Sequence, residues 1–345
     1  MSQRVTMEDI ARRSGVSLTT VSLVLRDKPG INDETRRRVM EVARELGYRK
    51  RSSPDTSGGQ SLQQIGVITK ARAGDQPQVN PFYGPVVAGI EAACRRQQIN
   101  LLYATVAVDL DNYPEDLPRM LAEAQLDGII LVGAFVDHTI DQLLQRRGLP
   151  AVLVDAYAST HAYDAVVSDN FRGAYEAVSY LIGLGHRRIG LAGTLPDAYP
   201  SIAERRNGYL QALADHQISE RYFADTHLVH EEIEAATAAL LSQHPAITAL
   251  FCANDMTAIS AMAAARTLRR HLPEDLSVVG FDDIDLAAHV TPGLTTMHVD
   301  KISMGRLAVQ ALAHRLEFPE TSCVTTVLRP SLVERQSARR LISES

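Results

Sequence analysis

Short apolar runs alternate with stretches of helical spacing from Ile65 almost to the end of the chain. The runs are strand-like and read IGVIT, LLYATV, GIILVG, AVLVD, RIGLAG, ALFCAN and SVVGFDD. The stretches between them that have helical spacing are 84–97, 114–125, 139–147, 172–183, 203–216, 232–243 and 255–270. Such alternation is typical of parallel sheets with helices on both faces. About ten strands divide more naturally into two sheets than into one. We therefore predict two α/β lobes, with a ligand cleft beyond the carboxyl ends of the strands.

The first fifty residues have a different pattern, that of three short helices without a strand. Thr6 and Ser17 can each cap a helix, and Gly15 between them can turn the chain. Asn32 can cap a third helix that ends at Gly47. The second helix has one apolar face and a short outward face, as a helix in a DNA major groove requires. On pattern alone, two small amphipathic helices are equally typical of any globular domain.

Charge is spread unevenly along the chain. The formal net charge is −6, yet residues 1–51 contain 12 Lys and Arg against 7 Asp and Glu. A basic N-terminal segment on an acidic body favours contact with phosphates at that end and disfavours DNA wrapping around the rest.

The cysteines and the apolar runs exclude several classes of protein. Cys94, Cys252 and Cys323 are widely separated and include no CxxC pair, so they indicate neither a disulfide framework nor a zinc site. No signal-peptide core is present, and no run approaches about 18 apolar residues. We expect no metal, no cofactor, no membrane association and a cytoplasmic location.

Two consecutive segments resemble a known family. TMEDIARRSGVSLTTVSLVL followed by TRRRVMEVARELGY resembles the headpiece of the lactose-repressor (LacI) family of bacterial transcription regulators. The resemblance continues in NPFYGPVVAGIEAA, VVSDNFRGAYEAVSYLIGLGHRRIGLAG, RRNGYLQAL, ALFCANDMTAISAM, EDLSVVGFDDIDLA, PGLTTMHVDKISMGRLAVQAL and RPSLVER. It implies a small all-α helix-turn-helix headpiece plus an α/β periplasmic-binding-protein-like body of two doubly wound parallel-sheet lobes.

The resemblance also implies domain boundaries. The headpiece would occupy 1–50, a flexible linker 51–64, and an effector-binding and dimerisation domain 65–345. Within that domain, lobe 1 would take about 65–167 and 300–328, and lobe 2 about 168–299 and 329–335.

The linker departs from the family pattern. Pro54 and Ser57 stand where the family has the alanine and the leucine of a hinge helix that kinks DNA. Gly58 and Gly59 each cost a helix about 1 kcal/mol relative to alanine. We therefore expect no stable hinge helix in the free protein and no leucine wedge in the minor groove.

The resemblance assigns DNA contacts to residues at the starts of the three predicted helices and along the second helix. They are Thr6, Ser17, Leu18, Thr19, Thr20, Ser22, Leu23, Arg26, Asn32 and Thr35. The family commonly has arginine at the position of Leu23, where it reaches guanine. A leucine offers only apolar contact, for instance to a thymine methyl, so we expect a half-site different from that of the lactose repressor.

Sugars are bound by aromatic faces and by Asp, Asn and Arg groups that fix their hydroxyls. We expect the effector contacts to be Asn80, Phe82, Tyr83, Asp137, Asp155, Tyr157, Arg205, Asn254 and Asp282. Among these, Phe82 and Tyr83 resemble the family's stacking pair, although an aromatic helix start can also pack on a core. Asn254 and Asp282 end apolar runs, and the alternative for them is capping of the next helix.

Together these features predict a sequence-specific DNA-binding regulator, a repressor, whose operator affinity is controlled by a small carbohydrate in the cleft. Its partners would be a pseudo-palindromic double-stranded DNA operator, a sugar or sugar derivative, and a second copy of the chain. The absence of paired leucine heptads favours a dimer over a tetramer. The alternative is a stand-alone sugar-binding protein. An enzyme is disfavoured because no GxGxxG follows the first strand and no GxSxG, HExxH or Walker loop occurs.

Overall fold

Three short helices form the first unit of the chain, Met1–Gln60: α1 Met7–Ser14, α2 Leu18–Leu25 and α3 Asp33–Glu45. The computed structural model describes residues 6–25, 31–46, 62–72, 80–159 and 162–341. The expected linker residues 51–61, with the hinge-helix prediction made for them, lie outside these ranges.

Capping residues set the two ends of α1, and a shared apolar core holds the three helices of the first unit together. The Thr6 hydroxyl accepts a hydrogen bond from Asp9 N, and the Asp9 carboxylate accepts one from Thr6 N at 2.9 Å, so the two residues form a capping box. Gly15 follows α1 with φ 69°, a left-handed conformation that glycine adopts without strain. The helices enclose one small core of Ile10, Val21, Val24, Val39 and Ala43, all buried.

The second unit, Ser61–Ser345, contains a six-stranded parallel sheet. Its strands are β1 Gln64–Ala71, β2 Asn100–Ala107, β3 Gly128–Val132, β5 Ala151–Val154, β7 Asp164–Ser168 and β13 Thr325–Leu328, in the spatial order β13-β7-β5-β3-β1-β2. The helices α4 Tyr83–Gln97 and α11 Lys301–Glu317 pack on one face, and α5 Met120–Glu123 and α6 His138–Arg147 on the other. Neighbouring residues of β3 show this arrangement, since Ile130 belongs to the first core and Ile129 to the second. We call this part the first lobe.

The second lobe is a four-stranded parallel sheet with its own two helix layers. Its strands are β8 Ile189–Ala192, β9 Tyr222–Ala224, β10 Ala249–Cys252 and β11 Ser277–Val279, in the order β11-β10-β8-β9. Its helices are α7 Asn170–Gly183, α8 Pro200–Asp215, α9 His230–Gln243 and α10 Asp255–Thr267, followed by a short 3-10 helix Asp285–Ala288. The structure thus confirms the expected fold class.

The chain passes between the lobes three times within the described residues of the second unit. It does so from β7 to α7, from β12 (Thr296–His298) to α11, and from β13 to β14 (Ser331–Val333). The strands β12 and β14 pair antiparallel beside the second lobe. Within the described residues these covalent connections between the lobes are short, at 168–170, 298–301 and 328–331.

Two local features differ from the sequence expectation. Residues 114–125 form only the single turn α5, because Pro118 lies in the middle of the predicted helix and its ring excludes a helical hydrogen bond there. A short parallel pair, β4 Phe135–Val136 with β6 Tyr157–Ala158, lies just beyond the main sheet of the first lobe. Within the described ranges, no helix is both long and apolar enough to cross a bilayer.

Candidate effector-binding cleft and DNA-contact surface

A cavity of about 740 Å³ lies between the two lobes and is lined by the ends of their strands. From the first lobe it receives residues that follow β1 and β5, and from the second lobe residues that follow β8, β9, β10 and β11. Seven of the nine expected effector contacts line it: Asn80, Phe82, Tyr83, Asp155, Arg205, Asn254 and Asp282. The cleft therefore lies where two facing parallel sheets are expected to bind a ligand.

Arg205 is the most constrained side chain in the cleft. It lies on α8, its side chain is 5% exposed, and its Nη2 is 3.0 Å from Asp282 Oδ1. Its Nε donates to Asn170 Oδ1 at 3.0 Å and its Nη1 donates to Ala253 O at 2.6 Å. The guanidinium carbon lies 3.8 Å from the ring centre of Phe281. Each of the three guanidinium nitrogens thus has a partner, which fixes the orientation of the group and leaves further N–H donors for a hydroxyl.

Asp282 follows β11 in an unusual backbone conformation, with φ 108°. Its carboxylate is buried, and that burial raises its pKa to about 6, against the lowering effect of Arg205 and Lys301. Lys301, at the start of α11, donates to the carbonyl oxygens of Asp282 and, at 3.1 Å, of Val299. This buried ammonium holds the turn that presents Asp282, and it does so from a helix of the first lobe.

Asp155 follows β5 and also has a positive φ, of 45°. Its carboxylate accepts a hydrogen bond from the Tyr83 hydroxyl at 2.8 Å, and its carbonyl accepts one from the Tyr199 hydroxyl at 3.0 Å. Burial raises the pKa of Asp155, while the charges of Lys70 and Arg205 oppose that rise. Asp155 and Asp282 therefore face the cleft as buried hydrogen-bond acceptors, one from each lobe.

The aromatic pair at the start of α4 divides between two environments. The Asn80 side chain accepts hydrogen bonds from Phe82 N at 3.0 Å and Tyr83 N at 2.8 Å, so it orients both residues. Phe82 is half-buried and lines the cleft. The Tyr83 ring is buried beside Gly133, where a Cβ would lie 2.5 Å from it. Phe82 is thus the ring with the freer face, and its edge contact with Tyr83 at 5.1 Å holds it in place.

Two expected contacts lie elsewhere, and a third has a second role. Asp137 does not line the cavity, because its carboxylate caps α6 by accepting from Ile140 N at 2.8 Å. Tyr157 lies on β6 behind the cleft, where its ring contacts Phe135 and Tyr199. Asn254 lines the cavity, but its side-chain oxygen caps α10 by accepting from Thr257 N at 2.8 Å. Its amide nitrogen is the group left to face a ligand.

The cleft includes residues that the sequence interpretation missed. Lys70 lies at the end of β1, its Nζ donates to Asn112 Oδ1 at 2.8 Å, and it lies over the rings of Tyr83 and Tyr199. Tyr199 immediately precedes α8. The strand-end position of Lys70 was a usable signal, since it is the same position that identified Asp155. The loop position of Tyr199 gave no such signal.

The first unit presents a compact polar surface at two helix starts. The Ser17 hydroxyl accepts from Thr20 N at 3.1 Å, and Asn32 Oδ1 accepts from Thr35 N at 2.8 Å. These four residues, with Val16 and Ile31, line one shallow depression. Free backbone N–H groups at two helix N-termini suit a phosphate.

The outward face of α2 has both polar and apolar side chains. Leu18 and Thr19 are exposed, whereas Ser22 and Leu23 are half-buried. Thr6 is exposed and is used in the capping box of α1. Arg26 lies outside the described residues. Within the described part of this face, Leu18 and Thr19 are the most accessible side chains of the expected set, and the DNA contacts themselves stay a prediction.

Comparison with known proteins gives matches in both units. Residues 6–50 match the family described as bacterial regulatory proteins, lacI family, and residues 178–338 match the periplasmic binding protein-like domain. A ribose operon repressor from Haemophilus influenzae is 33% identical over 336 residues, which cover 96% of this chain and 98% of that protein. This relative is named as a regulator and not as an enzyme.

Solved structures give the same result. A LacI family transcriptional regulator from Enterococcus faecium with bound ribose has a TM-score of 0.70 and 27% identity, covering 81% of this chain and all of that one. The Lac repressor dimer bound to operator and the anti-inducer ONPF has a TM-score of 0.66 and 25% identity, covering 98% of this chain and all of that one.

Proposed function

The chain belongs to the LacI family of bacterial transcriptional regulators, and from that premise we propose that it is a homodimeric repressor of a pseudo-palindromic operator whose affinity is set by a small uncharged carbohydrate in the cleft. The observation that carries the proposal is the Arg205–Asp282 pair, an oriented buried donor and acceptor that lie in a cavity between two lobes. A repressor of bacterial genes acts in the cytoplasm, where the DNA is.

The charges around the cavity favour an uncharged effector. Among the described residues that line it, three are Lys or Arg and five are Asp or Glu. Arg205 is already paired with Asp282, and Lys70 acts on Asp155. A phosphate or carboxylate would therefore meet an excess of negative charge, whereas sugar hydroxyls can donate to the carboxylates and accept from the guanidinium.

The relatives suggest the size of the sugar. The Haemophilus influenzae relative is named for a ribose operon, and the Enterococcus faecium structure holds ribose. Phe82 supplies one aromatic face for the C–H side of a pentose ring, and Asp155, Asp282, Arg205 and Asn254 surround it with polar groups. D-Ribose is accordingly the first effector to test.

The first unit supplies the DNA contacts of the proposal. Ser17, Thr20, Asn32 and Thr35 would hold phosphates at the two helix starts, and the exposed side chains of α2 would meet base edges. Two copies would place two such surfaces on two half-sites. The Lac repressor dimer on its operator is the precedent for this arrangement.

The test is fluorescence anisotropy with DNA from upstream of the protein's own gene, with and without D-ribose, ribose 5-phosphate and D-glucose. We expect operator binding with a dissociation constant of about 10 nM or below, as is typical of specific sites. We also expect D-ribose, but not its phosphate, to change that binding. Arg205→Gln should abolish the sugar effect. Arg206→Gln is the matched control, since Arg206 pairs with Asp225 away from the cavity lining. Operator binding that no sugar alters, or sugar binding without any DNA binding, would contradict the proposal.

A further inference from the structure

Tyr199 belongs to the second lobe, yet its side chain packs in the first. It ends the loop after β8 and is 9% exposed. Its ring makes edge contacts with Phe135 at 4.9 Å and with Tyr157 at 5.2 Å between ring centres. Both partners stand on the short pair β4 and β6 of the first lobe. The ring therefore occupies an aromatic slot in the lobe opposite its own.

Polar groups of the first lobe complete the slot. The Tyr199 hydroxyl donates to the carbonyl of Asp155 at 3.0 Å, and Lys70 Nζ lies 4.9 Å from the centre of the Tyr199 ring. The same Asp155 faces the cleft with its carboxylate, which Tyr83 holds. Asp155 thus accepts the Tyr199 hydrogen bond on its backbone and presents its side chain to the cleft.

The position of this contact matters because the chain passes between the lobes elsewhere, at 168–170, 298–301 and 328–331. Tyr199 lies at none of them, so it restrains movement that the crossings allow. It also directly precedes α8, the helix that holds Arg205. Opening of the Tyr199 contact would therefore move Arg205 together with Tyr199.

We propose that Tyr199 is a latch that holds the second lobe closed on the first and thereby sets how tightly the cleft binds its effector. The second part of this inference rests on the proposed function, and the first part does not. If the effector binds the closed form, its apparent dissociation constant equals the intrinsic constant divided by the closed fraction. Loss of the latch lowers that fraction, so the effector should bind more weakly by the same factor.

The test is amide hydrogen exchange of the full chain without ligand, comparing Tyr199→Ser and Tyr199→Phe with the parent. Peptides covering 132–136, 155–159 and 195–199 report the slot and the latch. Tyr199→Ser removes two ring contacts and a hydrogen bond, which together correspond to at least about a tenfold rise in exchange. Tyr199→Phe removes only the hydrogen bond, so the exchange rate in these peptides should rise about threefold.

The matched controls are Tyr175→Ser and Tyr175→Phe. Tyr175 lies on α7 and its hydroxyl donates to Asp215 of the same lobe, so neither control should change exchange in the slot. Unchanged exchange at 132–136 and 155–159 in Tyr199→Ser would overturn the latch. Faster exchange throughout the second lobe of Tyr199→Ser would indicate that the lobe itself is destabilised, and Tyr199→Phe then decides. A rise in its exchange rate that is confined to the three segments supports the latch, and an unchanged rate in these segments overturns it.

Calorimetry with D-ribose tests the second part. Where the parent chain binds D-ribose, Tyr199→Ser should bind it more weakly by the factor by which the closed fraction falls, and equal affinity would overturn that part. Failure of the parent chain to bind D-ribose would count against the pentose proposal alone, because the exchange experiment decides on the latch without any sugar.

Discussion

Asp255 is a buried carboxylate beneath the cleft whose charge opposes folding at neutral pH. Its side chain has no exposed surface and accepts hydrogen bonds from Ile284 N at 2.8 Å and from the Thr296 hydroxyl at 2.5 Å. Burial, and after it the neighbouring charge of Asp282, raises the pKa of Asp255 from 3.8 to about 7. Replacing this carboxylate with an amide measures how much its charge lowers the free energy of unfolding.

The sign of the effect follows from proton binding. Because its pKa is higher in the folded chain, Asp255 keeps its proton between about pH 4 and 7 when folded and has lost it when unfolded. The free energy of unfolding therefore falls by about 1.4 kcal/mol for each pH unit in that window. Above the window both states are ionised, and the full cost of about 4 kcal/mol persists.

In Asp255→Asn the amide oxygen can still accept from Ile284 N, and the amide nitrogen can donate to the Thr296 hydroxyl. The variant should therefore gain stability relative to the parent as pH rises, by about 1.4 kcal/mol per unit from pH 5 to 7 and little more above that. Urea unfolding of the full chain at half-unit pH steps, followed by circular dichroism, measures this difference.

Asp164→Asn is the matched control. Asp164 is also buried, but hydrogen bonds from Arg315 and Val324 N outweigh burial and lower the pKa of its carboxyl, so its pH dependence falls below about pH 4 and the difference should be flat from pH 5 to 8. A difference for Asp255→Asn that is independent of pH between 5 and 8 would refute the reasoning, since it would mean that the folded carboxyl titrates like an ordinary one.

Three further predictions concern the packing of the first lobe and the DNA-contact surface. Gly305→Ala would drive a Cβ into the Val86 carbonyl where α11 crosses α4, so the melting temperature should fall by an amount equivalent to about 2 kcal/mol or more. The control is Gly183→Ala, whose Cβ meets open space, so its melting temperature should stay equal or rise slightly. Asn32→Ala removes the cap of α3 and should lower the free energy of unfolding of the first unit by about 1 kcal/mol, which a binding assay would show as weaker operator binding. Asn32→Asp should keep the cap and the fold but weaken operator binding, because its carboxylate repels phosphate. Leu23→Arg should shift selection from a random DNA library toward half-sites with guanine at one position, and an unchanged consensus would show that Leu23 faces no base.

The strand-end rule explains how much of the cleft could be predicted from sequence. Apolar runs that finish in a polar residue identified Asp155, Asn254 and Asp282, and all three line the cavity. Asp137 ends no such run and was expected only from its loop after a strand, and its carboxylate caps α6 away from the cavity lining. Asn254 both caps α10 and lines the cavity, so a polar residue after a strand can have either role or both.

The parts of the cleft that sequence did not predict depend on contacts between distant segments. Tyr199 follows no strand directly, and its role arises from aromatic partners 64 and 42 positions away, Phe135 and Tyr157. Asn170 fixes Arg205 from a different helix. Neither periodicity nor composition encodes such pairings, since the first depends on how the two lobes face each other and the second on how α7 packs against α8.

The central claim is that the occupant of the cleft and the operator act on each other through this chain. The most direct test measures operator affinity over a series of concentrations of a sugar that binds the protein, and then sugar affinity with and without saturating operator. We expect each ligand to change the affinity of the other by the same factor, of about fivefold or more. A chain that binds both ligands while each leaves the affinity of the other unchanged would contradict the central claim.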